Sequence, residues 1–160
     1  GSKKLNSIIR ENLDALQTSY QIIHLTGKGL IDEQYTNEKD YIQFDFVKDD
    51  LTDLLAITDT VISRAGSNAI YEFLALRIPM LLIPLGLDQS RGDQIDNAKN
   101  FEAKGFGKTI PEDALTEQKL IDQLNDIETN RDTIINQMQT YKESFTRQDL
   151  FRKIIKDALN

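Results

Sequence analysis

The stretch SRAGSNAIYEFLALRIPMLLIPLG, residues 63–86, decides the fold. It is entered from TVIS (60–63), a short β-branched run that reads as a strand. A Gly-Ser turn follows. Residues 67–77 then carry Ile70, Phe73 and Leu74 at helical spacing, which predicts a helix with that face inward. PMLLIP (79–84) is unbroken apolar sequence, the form of a strand buried on both faces of a parallel sheet. Strand, helix and strand in succession make a βαβ unit.

The same alternation extends in both directions. Leu5, Ile8, Ile9, Leu13 and Leu16 predict a helix over 4–17. QIIHLTGKG (21–29) reads as a strand ending in a Gly-rich turn, and YIQFDFV (41–47) as a second strand. Residues 49–58 open with acids and carry Leu51, Leu54 and Leu55 on one face, so they read as a helix. Downstream, the pattern predicts a helix at 92–104, a short edge strand at 107–110, a connection from Pro111 to Leu115 and a helix at 116–127. Two tail helices are marked by Ile134, Ile135, Met138, Tyr141 and Phe145, then by Leu150, Phe151, Ile154, Ile155 and Leu159. This order predicts an α/β fold, a Rossmann-like doubly wound parallel sheet. Ligands bind such sheets outside the carboxyl ends of the strands, here the loops 25–29, 45–49, 63–68 and 84–93.

Bulk composition narrows the function. The chain has 160 residues, with 39% apolar and 28% charged, which suits one soluble globular domain with a real core. A formal charge of -7 argues against a nucleic-acid partner. No cysteine and one histidine exclude thiolate chemistry and His-rich metal sites. Gly1-Ser2 reads as a cloning remnant, and residues 3–160 as a piece cut from a larger protein.

Candidate residues cluster in the predicted strand-to-helix turns. Gly66 lets a ligand approach the backbone closely, Ser67 or Asn68 can cap the helix, and free N–H groups of its first turn attract phosphate. Glu72 lies about 180° around the helix from the apolar face, at ~100° per residue. A carboxylate there can accept hydrogen bonds from two neighbouring hydroxyls, as on a ribose. Asp93, Gln94 and Asn97 have the donors and acceptors to read sugar hydroxyls. His24, before Thr26-Gly27-Lys28-Gly29, can donate to a phosphate or sugar, and a half-buried structural role suits it equally. Two features are set aside. GFGKT (105–109) lacks the Gly a P-loop needs at position 102, where Glu102 stands. Asp49-Asp50 is explained as a helix N-terminal acid pair. Each of the other turns is also compatible with an ordinary βα connection.

HLTGKG (24–29), the run from Phe44 to Leu85 and RGDQIDNAKNFEAKGFG (91–107) together resemble the carboxy-terminal, nucleotide-sugar-binding half of the MurG family of bacterial glycosyltransferases. The spacing S-R-x-G, Glu six residues later, x-P-x-x-x-I-P and D-Q-x-x-N-A carries the resemblance, and SRGDQ is similar to staphylococcal members. The resemblance implies the C-terminal lobe of a GT-B type enzyme. That enzyme transfers N-acetylglucosamine from UDP-N-acetylglucosamine to a lipid-linked muramyl pentapeptide, converting lipid I to lipid II in peptidoglycan synthesis. It implies that Glu72 holds the ribose and that Phe46 and Val47 lie at the uracil. Gly66, Ser67, Asn68 and Ala69 would meet the diphosphate, and Asp93 and Gln94 the sugar. Arg64 and His24 complete the implied donor-binding set. Family members often have Gln where this chain has Asp93.

The family's first strand and its Gly-Gly-Ser-x-Gly-Ala loop are expected upstream of Lys3, so the sheet is expected to lack its central strand. Two exposed edges would follow, and with them self-association. The resemblance further implies an inverting displacement with no essential metal. The general base, the acceptor groove and the membrane-facing patch would belong to an amino-terminal domain not contained here. The parent would be peripheral on the cytoplasmic side of the membrane. This piece alone would be soluble, would bind donor weakly or not at all, and would turn nothing over. The alternatives are a lobe of another UDP-sugar glycosyltransferase or epimerase, and a non-enzymatic flavodoxin-like binding module.

Overall fold

The structure, a computed structural model, describes residues 2–47, 50–87 and 91–143. It forms two compact units, Gly1–Leu54 and Leu55–Asn160.

The first unit opens with α1 (Lys3–Glu11) and α2 (Leu13–Gln17). Ser2, expected to be a remnant, caps α1: its hydroxyl oxygen accepts from the Leu5 N–H at 3.3 Å. The one helix expected over 4–17 is therefore two. Asn12 has φ -108° and ψ 15°, and its side-chain amide donates to the Ile8 carbonyl at 2.7 Å. The Asn12 backbone N–H also reaches the Ile8 carbonyl, at 3.3 Å, so side chain and backbone compete for one acceptor where the helix is interrupted. The apolar spacing survives the break, so Ile9, Leu13 and Leu16 are all buried. Strand β1 (Ile22–Leu25) pairs in parallel with β2 (Tyr41–Phe44), with Ile22 opposite Tyr41 and Leu25 opposite Phe44. A single 3-10 turn, Glu33–Tyr35, lies between them and was not expected. β2 ends at Phe44, three residues short of the expected strand. One sheet face buries His24 and Tyr41; the other leaves Ile23, Leu25 and Ile42 exposed.

Helix α3 (Leu51–Ala56) precedes the second unit's sheet. That sheet has the order β3 (Val61–Ser63), β4 (Met80–Leu82), β5 (Gly107–Thr109), all parallel. Between the first two strands runs α4 (Ser67–Leu76), and between the last two α5 (Asp93–Ala103). Central β4 is wholly buried, as its unbroken apolar sequence requires. Ile70, Phe73 and Leu74 of α4 are buried as expected, and Tyr71 with them, its ring edge-on to Phe101 at 5.6 Å. A 3-10 turn, Glu112–Ala114, leads to α6 (Glu117–Thr129), capped by the Thr116 hydroxyl, and then to α7 (Arg131–Glu143). Leu120, Leu124 and Ile127 of α6 and Ile134 and Met138 of α7 are buried at helical spacing.

GFGKT is a turn and an edge strand. Lys108 pairs with Asp126, and a Cβ at Gly107 would collide with the Met80 carbonyl. The expected α/β fold with parallel sheets is present, as two sheets rather than one. A doubly wound order 3-2-1-4-5-6 has a 3-2 wing and a 4-5-6 wing about its first strand. Taken separately, β1-β2 has the connectivity of the former and β3-β4-β5 that of the latter. No strand with the connectivity of the first occurs among the described residues. The second expected tail helix, together with Phe145 and Asp49, lies outside the described residues.

Candidate functional site

In the second unit, β3 and β4 each run into a turn that opens a helix, and β5 runs into the 3-10 turn Glu112–Ala114. All three turns lie at the carboxyl edge of the sheet, because its strands are parallel.

The start of α4 lies at this edge, directly after β3, an outer strand of the sheet. The cap position is Gly66, not Ser67 or Asn68 as expected, and no side chain caps the helix. The first helical bond runs from the Ile70 N–H to the Gly66 carbonyl at 3.1 Å. The N–H groups of Ser67, Asn68 and Ala69 therefore have no helical acceptor, and the described residues supply none. No acidic residue occupies the first turn of α4, whereas α5 has Asp93 and Asp96 there and α6 has Glu117. The positive end of the α4 dipole is thus not compensated from within its own first turn. Gly66 has φ -70° and ψ 133°, a conformation open to any residue, and a Cβ added there meets nothing within 4 Å. Nothing inside the described chain requires glycine at this position.

Glu72 is exposed on α4, turned away from the buried Ile70, Phe73 and Leu74. Asp93 is the exposed first residue of α5. Gln94 is partly committed to the fold, since its side-chain oxygen accepts from the Leu85 N–H at 3.1 Å. Asn97, expected among the sugar readers, instead donates to the Ala65 carbonyl at 3.0 Å and so ties α5 to the turn before Gly66. The D-Q-x-x-N spacing signals this, because Gln94 and Asn97 are three apart and share one helix face.

Arg64 departs from its expected place in the donor set. Its guanidinium pairs with Glu112 and donates to the Ile83 carbonyl at 3.1 Å. The pair is largely shielded, with side-chain exposures of 16% and 5%. Glu112, not singled out in the sequence, is 48 residues from its partner, and no sequence pattern connects them.

In the first unit, Phe46 is 69% exposed and Val47 half-buried, on the segment that leaves β2. His24 is not available to a phosphate or sugar. One ring nitrogen is 2.8 Å from the Tyr41 hydroxyl and the other 3.0 Å from the Asn6 side-chain oxygen. Asn6 in turn donates to the Thr26 carbonyl at 2.8 Å. Burial, and then the charge of Arg10, push the His24 pKa down to about 4. Burial likewise raises the Tyr41 pKa. Among the described residues, no three His, Cys, Asp or Glu side chains converge as metal ligands.

Residues 1–154 match the model of the glycosyltransferase family 28 C-terminal domain. The chain belongs to this family. The family 28 domain aligns over its whole length with much longer relatives. It is 82% identical to one from Staphylococcus saprophyticus, of which it covers 45%. It is 75% identical to one from Staphylococcus epidermidis (44% covered) and 70% identical to one from Staphylococcus aureus strain JH9 (45% covered). Each relative is named UDP-N-acetylglucosamine--N-acetylmuramyl-(pentapeptide) pyrophosphoryl-undecaprenol N-acetylglucosamine transferase. The family 28 domain thus spans less than half the length of these curated relatives. Gly1 and Ser2 fall within both the family match and the alignments to these three relatives.

Proposed function

We propose that this domain is the donor-binding half of an inverting glycosyltransferase. The enzyme moves N-acetylglucosamine from UDP-N-acetylglucosamine to lipid-linked muramyl pentapeptide, lipid I to lipid II. The observation that carries the reading is the start of α4. There, among the described residues, three N–H groups find no acceptor, no acid stands in the helix's own first turn, and nothing requires the glycine, all at the carboxyl edge of a parallel sheet. Such an end binds phosphate. The names of the relatives supply the nucleotide sugar and the acceptor.

Ser67, Asn68 and Ala69 meet the diphosphate through their backbone, and Gly66 leaves room for its oxygens. As UDP departs, negative charge grows on the diphosphate, and the fixed N–H groups stabilise it without reorganising. This is the proposed alternative to a metal ion. Glu72 accepts from the ribose hydroxyls, and Asp93 and Gln94 read the sugar. The role of Phe46 and Val47 at the uracil is a separate proposal that rests on the family resemblance. The general base and the acceptor groove belong to the part of the longer protein not contained here, so this chain alone transfers nothing. Attachment to the cytoplasmic face of the membrane is assigned to that part as well. Among the described residues no helix is long and apolar enough to cross a membrane. The outer edges of β1 and β3 make the isolated chain prone to self-association.

The test is Glu72→Ala in the full-length protein. The donor KM is expected to rise about tenfold or more, the scale of lost hydrogen bonds to a charged group, with the acceptor KM unchanged. An unchanged donor KM would sink the reading. Competition by UDP-glucose equal to that by UDP-N-acetylglucosamine would move the assignment to another UDP-sugar enzyme.

A further inference from the structure

Arg64 and Glu112 form a shielded ion pair beside the proposed phosphate site, and neither the family match nor the relatives' names give it a role. Arg64 stands two residues before Gly66. Its guanidinium reaches past β4, donating to the Ile83 carbonyl, and joins Glu112 just beyond β5. One side chain therefore links the carboxyl ends of all three strands in the sheet. The turn that sets the direction of α4 is anchored at Arg64 by this pair and at Ala65 by the amide of Asn97.

We infer that Glu112 is a positioning residue of the donor site, holding Arg64 so that the turn through Gly66 presents the α4 N–H groups to the diphosphate. The inference rests on the donor-site reading above. A guanidinium that is 16% exposed and deprived of its carboxylate is costly, because the charge remains and its partner does not. The side chain relieves the cost by turning toward water, and it carries the 64–66 backbone with it. The N–H groups then miss the phosphate oxygens. The pair also sets the charge at the site, since Glu112 cancels Arg64 and leaves the helix start as the local positive end.

A competing arrangement makes the opposite prediction. If Glu112 merely withholds Arg64 from the diphosphate, neutralising Glu112 frees a cation for it and tightens donor binding. Steady-state kinetics of the full-length protein with Glu112→Gln separate the two. The expected result is a donor KM raised about tenfold, the scale of one misplaced charge-assisted hydrogen bond, with the acceptor KM unmoved. Partial recovery is expected in Glu112→Asp, which keeps the charge on a shorter arm, and Glu112→Ala serves if the Gln variant does not fold. A general loss of stability would lower active enzyme and hence apparent kcat, without this selective change in donor KM. An unchanged or lowered donor KM in the Gln variant, or in Glu112→Ala if the Gln variant does not fold, overturns the inference. Glu72→Ala in the same assay locates such a failure. If it raises donor KM, only the positioning role is wrong; if it too has no effect, the donor site itself is misplaced.

Discussion

Replacing Gly66 with serine should make the protein more stable and the enzyme worse. Gly66 has ordinary extended backbone and open space where a Cβ would go. A larger residue therefore costs nothing in the folded state, and the unfolded chain loses freedom, which stabilises by about 0.4–1 kcal/mol. Serine is also the better cap, by a few tenths of a kcal/mol, because its hydroxyl accepts from the second or third N–H of the helix. The sum is about 1 kcal/mol, or about 3 °C in Tm for a chain of this size. The same hydroxyl takes an N–H from the donor phosphate, and its Cβ stands where a phosphate oxygen must approach. Losing one hydrogen bond to a charged group costs about 1.5–3 kcal/mol, tenfold or more in donor KM. Urea unfolding of the 160-residue chain reads the first effect, and donor KM in the full-length protein reads the second. Gly66→Ala separates obstruction from capture, since it adds the Cβ without the oxygen. A Ser variant of lower stability would show that the space at Gly66 is filled in the folded protein. An unchanged donor KM would show that these N–H groups do not face the diphosphate.

Three further outcomes are expected. His24 is the only histidine, so one imidazole signal reports its titration. Its pKa lies near 4 when folded and 6.5 when unfolded, so between those values the unfolded chain binds more protons. Stability contributed by neutral His24 is complete above about pH 6.5 and falls by about 3 kcal/mol as pH drops to 4. NMR titration with a folded midpoint near 6.5 would refute the buried contacts to Asn6 and Tyr41. Gly107→Ala should destabilise by about 2 kcal/mol or more, because the new methyl meets the Met80 carbonyl rather than a side chain that can yield. A urea midpoint equal to that of the parent would contradict the close β4–β5 approach. The isolated chain should show a sedimentation coefficient that rises with concentration, and an invariant monomer value would remove the case for strand edges that pair between copies.

The β3–α4–β4 unit was legible almost to the residue, for a physical reason. A strand buried on both faces must be apolar throughout, and the helix beside it must show its own period; two such signals flanking a Gly-Ser turn leave little choice. The break at Asn12 was not legible. The apolar spacing from Ile9 to Leu13 to Leu16 runs straight through it, and the interruption lies in the backbone angles of Asn12, whose side chain and backbone N–H share the Ile8 carbonyl. Helical period reports which side faces the core, not whether each backbone bond is made.

At the candidate site the same division separates backbone from side chain. The open turn at Gly66 could be anticipated, because a strand-to-helix connection has the same N–H groups whatever surrounds it. Which side chains remain available to a ligand could not be. His24 and Arg64 each look like ligand contacts in the sequence, sitting in or beside Gly-containing turns at strand ends. Each is taken by residues far along the chain, His24 by Asn6 and Tyr41, Arg64 by Glu112 and the Ile83 carbonyl. Polar groups at the carboxyl end of a buried strand are drawn from water by the fold itself, so they must find partners inside the protein before any ligand arrives. Among the described residues, the groups that the fold leaves unsatisfied at the proposed donor site are exposed Glu72 and Asp93 and the first N–H groups of α4.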